Sequence, residues 1–393
     1  MSRIYLDHAA TTPLDERVFH VMQPYFVETF GNASSIHWHG QKAKAALEDS
    51  RARLARAIGA EPSEVHFTSG GTESDNFALR GVAHAARRKG KNHIVTARAE
   101  HHAVLEPCVI LATEGVEVTL LPVDANGMID PDDVKKAFKT TTALVSVIHA
   151  SNEVGTISPI REIARVAHEQ GVLVHTDAVQ SVGKIPVHVR DLDVDVLTFS
   201  AHKTYGPKGI GGLYIRKGTE IDPLLYGGKQ ERGRRPGTEN VPMAVGFAEA
   251  VEISLTEMEG ESARLRRLRD RLEIRLVSDL PAVIINGHPR ERLPHILNMS
   301  FDSSRISLEG DMLLLNLDLR GISAASGSAC SSGSTQPSHV LLAMGRDRQT
   351  AKASLRFSFG RGNTEEQVDY VVENLRGILN QTTSSRLRAG GPA

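Results

Sequence analysis

Short runs of β-branched and apolar residues alternate with longer amphipathic stretches along most of this chain, which limits it to an α/β architecture. The runs at 93–96, 116–121, 144–149, 172–176, 194–199 and 212–215 predict strands, and 72–89, 104–114, 160–170 and a longer stretch from Val241 predict helices. The expected class is α/β, with a mainly parallel sheet flanked by helices on both faces. Ligands of such sheets bind at the carboxyl ends of the strands. A length of 393 residues suggests one large unit and a smaller one. The charged stretch 257–275 reads as a connecting helix, followed by short strands at 296–301 and 354–359. Residues 1–259 are therefore expected to form a large domain, with 1–14 as an arm packing on the smaller one. Residues 260–380 are expected to form a small C-terminal α+β domain, and the Ser-, Arg- and Gly-rich stretch 381–393 a disordered tail.

The charge balance removes several classes of partner. With 46 basic and 47 acidic side chains the formal net charge is −1, which gives no long-range pull toward nucleic acid or an anionic membrane. No apolar run approaches the ~20 residues that span a bilayer. The first residues, MSRIYLDHAATTP, lack the apolar core of a secretory signal. The two cysteines, Cys108 and Cys330, exclude a disulfide framework and offer no C-x-x-C metal site. Cytoplasm is the compartment expected.

Three segments then fall at expected strand ends. In Phe67-Thr68-Ser69-Gly70-Gly71-Thr72-Glu73 a strand ends, two glycines follow and a helix begins. Free N–H groups at a helix start favour a phosphate, although a plain strand–helix turn would look the same. In Val172-Leu173-Val174-His175-Thr176-Asp177 an acid closes an apolar strand. Asp177 could cap a following helix, or its carboxylate could pair with the ring nitrogen of a pyridine cofactor. In Phe199-Ser200-Ala201-His202-Lys203 a lysine follows a buried strand. A lone lysine is usually a solvated charge, whereas one that carries a carbonyl cofactor needs a partly desolvated pocket.

A glycine turn, a strand-ending Asp and a strand-ending Lys in this order resemble the fold-type I pyridoxal-phosphate enzymes. More closely, the chain resembles the cysteine desulfurases of the nitrogen-fixation and iron–sulfur-assembly type, within the class V aminotransferases. The matching motifs run from Leu6-Asp7-His8-Ala9-Ala10-Thr11-Thr12-Pro13 through Gly31-Asn32-Ala33-Ser34-Ser35, Glu100-His101-His102, Asn152-Glu153-Val154-Gly155 and Arg235-Pro236-Gly237-Thr238 to Ser354-Leu355-Arg356.

The resemblance implies pyridoxal 5′-phosphate as cofactor, joined covalently to Lys203. It implies that Gly71, Thr72, Ser200 and His202 hold the phosphate, that Asp177 binds the ring nitrogen and that Gln180 binds the phenolic oxygen. His101 is expected over the ring face as an acid–base group. Asn152 is expected beside the cofactor, gripping the substrate carboxylate together with Arg356. Thr238 is expected to reach the phosphate of the other subunit, which requires a homodimer. No metal is expected: adjacent His101 and His102 rarely converge on one ion. The arginines of 230–235 are left as a solvated basic loop.

Cys330 sits in the small-residue run Ser326-Gly327-Ser328-Ala329-Cys330-Ser331-Ser332-Gly333, unlike Cys108, whose apolar periodic run reads as structural. The loop is similar to the mobile type in this family rather than the short Arg-x-Gly-His-His-Cys type. The resemblance implies that L-cysteine is converted to L-alanine, with its sulfur left on Cys330 as a persulfide for a sulfur-acceptor protein, an iron–sulfur scaffold or a tRNA-thiolation enzyme. Selenocysteine lyase and class V aminotransferase are the rival enzymes, the second with no need of Cys330. A non-enzymatic sulfur carrier or cofactor-binding regulator is the rival of another class.

Overall fold

The computed structural model describes residues 3–306, 308–326 and 336–389, with side chains up to Gln381. Twelve strands are described: β1 (Ile4–Tyr5), β2 (Val65–Thr68), β3 (His93–Ala97), β4 (Glu117–Leu121), β5 (Thr142–Ile148), β6 (Leu173–Asp177), β7 (Val196–Ser200), β8 (Gly211–Ile215), β9 (Val283–Asn286), β10 (Ile296–Phe301), β11 (Ile322–Ser323) and β12 (Ser354–Ser358). Seven form one sheet in the order β2-β8-β7-β6-β5-β3-β4. Neighbours β7-β6-β5-β3-β4 are all parallel, and β8 alone runs antiparallel to both its partners. Central strands such as β5 and β7 are buried at every position, so their sequences read as continuous runs rather than alternating ones.

Apolar side chains cover both faces of this sheet. One core joins Val145, Val147, Val174, Leu197 and Phe199 to the helix Trp38–Ile58 and to Phe247 and Val251. The other packs Phe77, Leu79 and Val82 of the helix Gly71–Arg87 against Ile94, Leu144, Val196 and Leu213. A separate core gathers Leu268, Leu272, Leu297, Met299, Phe357 and Leu375, and the N-terminal residues Ile4 and Leu6 insert into it. There β1 pairs with β11 and Asp7 bridges to Ser358, so the first residues of the chain are stitched to its last strands.

Two expectations change here. The stretches from Val241 and at 257–275 are one helix, Val241–Asp279, of 39 residues and about 58 Å. Its first half packs in the sheet core and its second in the smaller core, so its buried face changes partner rather than ending. The last helix, Glu365–Ala389, carries its backbone into the stretch that composition reads as a disordered tail. Serine and arginine suffice to continue a helix already nucleated by packed Val368, Val371 and Leu375.

Candidate active site

The carboxyl ends of β5, β6 and β7 open into a cavity of about 360 Å³. Its floor comes from the sheet. Asp177, the last residue of β6, is 5% exposed, and its Oδ1 accepts the Val179 N–H at 2.9 Å. That bond braces a turn, since no helix starts at this point; the next is the short Val189–Leu192. Burial pushes the Asp177 carboxyl up to about 6, with the Val179 N–H and the Lys203 ammonium opposing.

After β7 a single tight turn, Ala201–Lys203, brings Lys203 into the same cavity. Its Nζ donates to the carbonyls of Ala9 and Ala10, both at 2.6 Å. Gln180 donates to the Ala9 carbonyl at 2.8 Å. The His202 Nδ1 lies 3.2 Å from the Thr11 Oγ1, and burial brings its ring down to about 4. The N-terminal arm thus closes one side of the site through its backbone, which no side-chain motif announces.

Gly71 opens the helix Gly71–Arg87 at the cavity edge. A Cβ there would lie 2.8 Å from Val179 Cγ2, so glycine lets this helix start pack closely against Val179 at the cavity edge. Thr72 lines the cavity beside it. Ser200 is buried near Gly71, and its Oγ has no hydrogen-bond partner among the described residues.

His101 caps the helix His102–Thr113: its Nδ1 accepts the Ala103 N–H at 3.1 Å. A backbone N–H can meet only a lone pair, so the neutral ring carries its proton on Nε2. Burial, then Lys203, bring His101 down to about 4, which keeps it neutral. His102 turns away, with its Nδ1 3.5 Å from Glu106 and its ring 4.7 Å from that of His339. Among the described residues no three His, Cys, Asp or Glu converge as metal ligands.

The wall opposite the floor is Arg356 on β12. It is 2% exposed, donates to the Asn152 carbonyl at 2.9 Å and to Asp7 Oδ1 at 2.8 Å, and keeps Nε without a partner among the described residues. Asp7 went unassigned by sequence reasoning, although it lies in the quoted N-terminal motif. Its contact spans 349 positions, which no local spacing reveals.

Thr238 is exposed and does not line this cavity. The basic loop before it is less solvated than its composition suggests. Arg235 Nε bonds Glu73 at 2.9 Å, and Arg234 Nη1 meets His66 Nε2 at 3.2 Å. Cys330 lies outside the described residues. The chain entering its segment is paired to Arg356 through Ala325. The chain leaving it is held by Ser338, which donates to Glu153 at 2.5 Å, and by His339 at the Glu100 carbonyl, 2.8 Å away. Cys108 is buried, and burial raises its thiol to about 12.

Comparison with known proteins agrees with this geometry. Residues 4–371 match the family "Aminotransferase class-V". The chain belongs to the class-V aminotransferase family. Within it, the chain falls among the cysteine desulfurases. It is 50% identical over 378 residues to the "Cysteine desulfurase IscS" of Dictyoglomus turgidum, covering 96% of this chain and 95% of that one. It is also 50% identical to the protein of the same name from Methanosarcina thermophila, covering 96% and 92%. A solved "NifS-like protein" superposes with a TM-score of 0.89 at 40% identity, covering 96% and 99%.

Members of this family use pyridoxal 5′-phosphate, and the cavity of this chain suits it. A glycine-opened helix start and a buried serine hydroxyl without a partner among the described residues suit an anionic group. A buried carboxylate and a lysine amine face one another across the same space.

Proposed function

We propose that this family member removes sulfur from L-cysteine, releasing L-alanine, with Lys203 holding the cofactor and Cys330 receiving the sulfur. The convergence of Lys203, Asp177, the Gly71 helix start and Arg356 on one cavity carries this reading. When bound, pyridoxal phosphate draws electrons from the substrate Cα and so acidifies its proton. Gly71, Thr72, Ser200 and His202 hold the phosphate end. Asp177 supplies the negative charge beside the ring nitrogen, and Gln180 serves the phenolic oxygen. Lys203 would be the attachment point, and its amine, when not joined to the cofactor, would serve as the base toward the α-proton.

The roles of His101 and Arg356 follow from their hydrogen bonds. With Nδ1 held by the Ala103 N–H, His101 offers the cavity an N–H donor. It suits donation to a developing carbanion or leaving sulfur better than deprotonation of Cys330. Arg356 and Asn152 receive the substrate carboxylate, which competes with Asp7 for the guanidinium. Cys330 lies four residues beyond Ser326, within roughly 14 Å by chain length alone. Its thiolate would attack the substrate sulfur, an S–S bond forming as the C–S bond breaks. The electron pair of the C–S bond stays on the substrate carbon, which takes up a proton to become alanine, and the persulfide passes to an acceptor protein, an iron–sulfur scaffold or tRNA-thiolation enzyme.

The same reading makes the protein a cytoplasmic homodimer of two-lobed subunits, divided near residue 260. Phe26, Val27, Phe30, Ile36, Trp38 and Tyr226 are exposed, Ile36 by 92% and Tyr226 by 85%, and such apolar side chains would be covered in a dimer. Pairing over this surface would let the exposed Thr238 serve the partner's cavity. No helix among the described residues is long and apolar enough to cross a membrane.

Cys330→Ser tests the assignment. The variant is expected to stay yellow and to change colour with L-cysteine, because cofactor binding uses none of the Cys330 segment. Alanine and persulfide formation are expected to collapse, since a serine hydroxyl is a poor nucleophile toward sulfur. Alanine and sulfide production at the normal rate would instead show that sulfur leaves without Cys330, as the lyase reading requires.

A further inference from the structure

Asp75 is an acid that the proposed reaction does not use. It lies one turn into the helix Gly71–Arg87, is 1% exposed, and lines the cavity together with Asp177. Its Oδ1 has no hydrogen-bond partner among the described residues and stands 3.6 Å from His175 Nε2. That imidazole is no counter-ion. It is fully buried, held by Ser146 Oγ at 2.8 Å and Thr198 Oγ1 at 3.1 Å, and burial takes it down to about 3. The other groups facing Asp75 are a Thr198 hydroxyl and two more acids, Asp177 on β6 and Glu100. Glu100 is itself buried, with one oxygen on the Ile148 N–H and the other without a partner among the described residues.

Two buried carboxylates beside one cavity cannot both stay ionised at neutral pH, because each raises the cost of the other's charge. Their partners decide which keeps a proton. Asp177 has the Val179 N–H and feels the Lys203 ammonium. Asp75 has neither, and burial and the Asp177 charge both hold its carboxyl well above the usual range. We propose that Asp75 is a positioning residue that stays protonated behind Asp177, so that the one negative charge at this end of the cavity rests on Asp177. Reversing the assignment would leave Asp177 neutral and unable to pair with a protonated ring nitrogen. The role toward Asp177 rests on the cofactor reading above; the proton itself is open to measurement without cofactor.

The test uses the apoprotein. Infrared spectra of wild-type protein labelled with 13C-aspartate are expected to show a protonated-carboxyl band at about pH 7 that is missing in Asp75→Asn and kept in Glu100→Gln. Thermal melts add the sign. The folded state holds a proton that the unfolded chain releases near pH 4, so wild-type stability falls as pH rises above that value. Asp75→Asn lacks this loss, so its Tm advantage is expected to grow from about pH 4 to about pH 8. The absence of a protonated-aspartate band in wild type would overturn the proposal, as would a Tm difference that does not change with pH. Both signatures in a protein that takes up no pyridoxal phosphate would keep the proton on Asp75 and overturn its role toward Asp177.

Discussion

The floor and the wall of the cavity are built in opposite ways. The floor is the edge of one parallel sheet. Asp177 and Lys203 lie at or just past the ends of adjacent strands, whose register is set by continuous backbone pairing. The wall is assembled from distant segments: Arg356 is itself backbone-paired within β12, but its guanidinium gathers partners far away in sequence. Arg356 is tied to Asp7 and to the Asn152 carbonyl, while Ser338 is tied to Glu153. A floor of this kind is rigid because moving one residue breaks a ladder. A wall of this kind can be loosened one bond at a time.

The largest effect is expected at the floor. Lys203→Ala would remove both the proposed attachment point and the proposed base, so turnover is expected to fall by roughly a thousandfold or more. Borohydride reduction followed by peptide mapping checks it: a cofactor–lysine adduct elsewhere would move the floor away from β7. At the wall, Arg356→Lys keeps the charge but loses the fork. KM for L-cysteine is expected to rise about tenfold while kcat changes less, and steady-state kinetics separate the two. An equal loss in both would make Arg356 part of the floor chemistry.

Glu153 sharpens the contrast through pH. Burial pushes its carboxyl up to about 7, against the Ser338 hydroxyl and Arg356. The folded state therefore holds a proton that the unfolded chain loses above about pH 4.5. The wall loses stability between about pH 4.5 and 7, by at most about 3 kcal/mol at 1.36 kcal/mol per unit. Glu153→Gln is expected to flatten that part of the stability profile in denaturant melts. An unchanged slope would show that Glu153 is not the titrating group. The smallest effect is expected away from both surfaces. Cys108→Ser should leave turnover unchanged and cost about 1–2 kcal/mol of stability for a buried hydroxyl.

The floor was legible because its chemistry sits at the points where sequence pattern changes. Asp177 interrupts an apolar run, Lys203 follows one, and Gly71 separates a strand from a helix. The wall was legible only in part. Arg356 and Asn152 came from family likeness, while Asp7, the carbonyls of Ala9 and Ala10, and Asp75 gave no local signal. Asp75 looks like an ordinary charge early in a helix until it is seen to share one cavity with the buried Asp177, with Glu100 buried close by. The helix Val241–Asp279 misled in a different way. Its charged second half resembles an independent connector because its apolar face follows a second core.

By itself the sequence determined the strand–helix order, the parallel sheet that follows from it, and the three residue types at the strand ends. These depend on local periodicity and on backbone pairing between neighbours. Only the tertiary structure decided which charges face each other: Arg356 with Asp7, Asp75 behind Asp177, the arm carbonyls on Lys203. Such pairings join residues up to 349 positions apart. Their energies depend on burial and on what else shares the space, and neither quantity exists until the chain has folded.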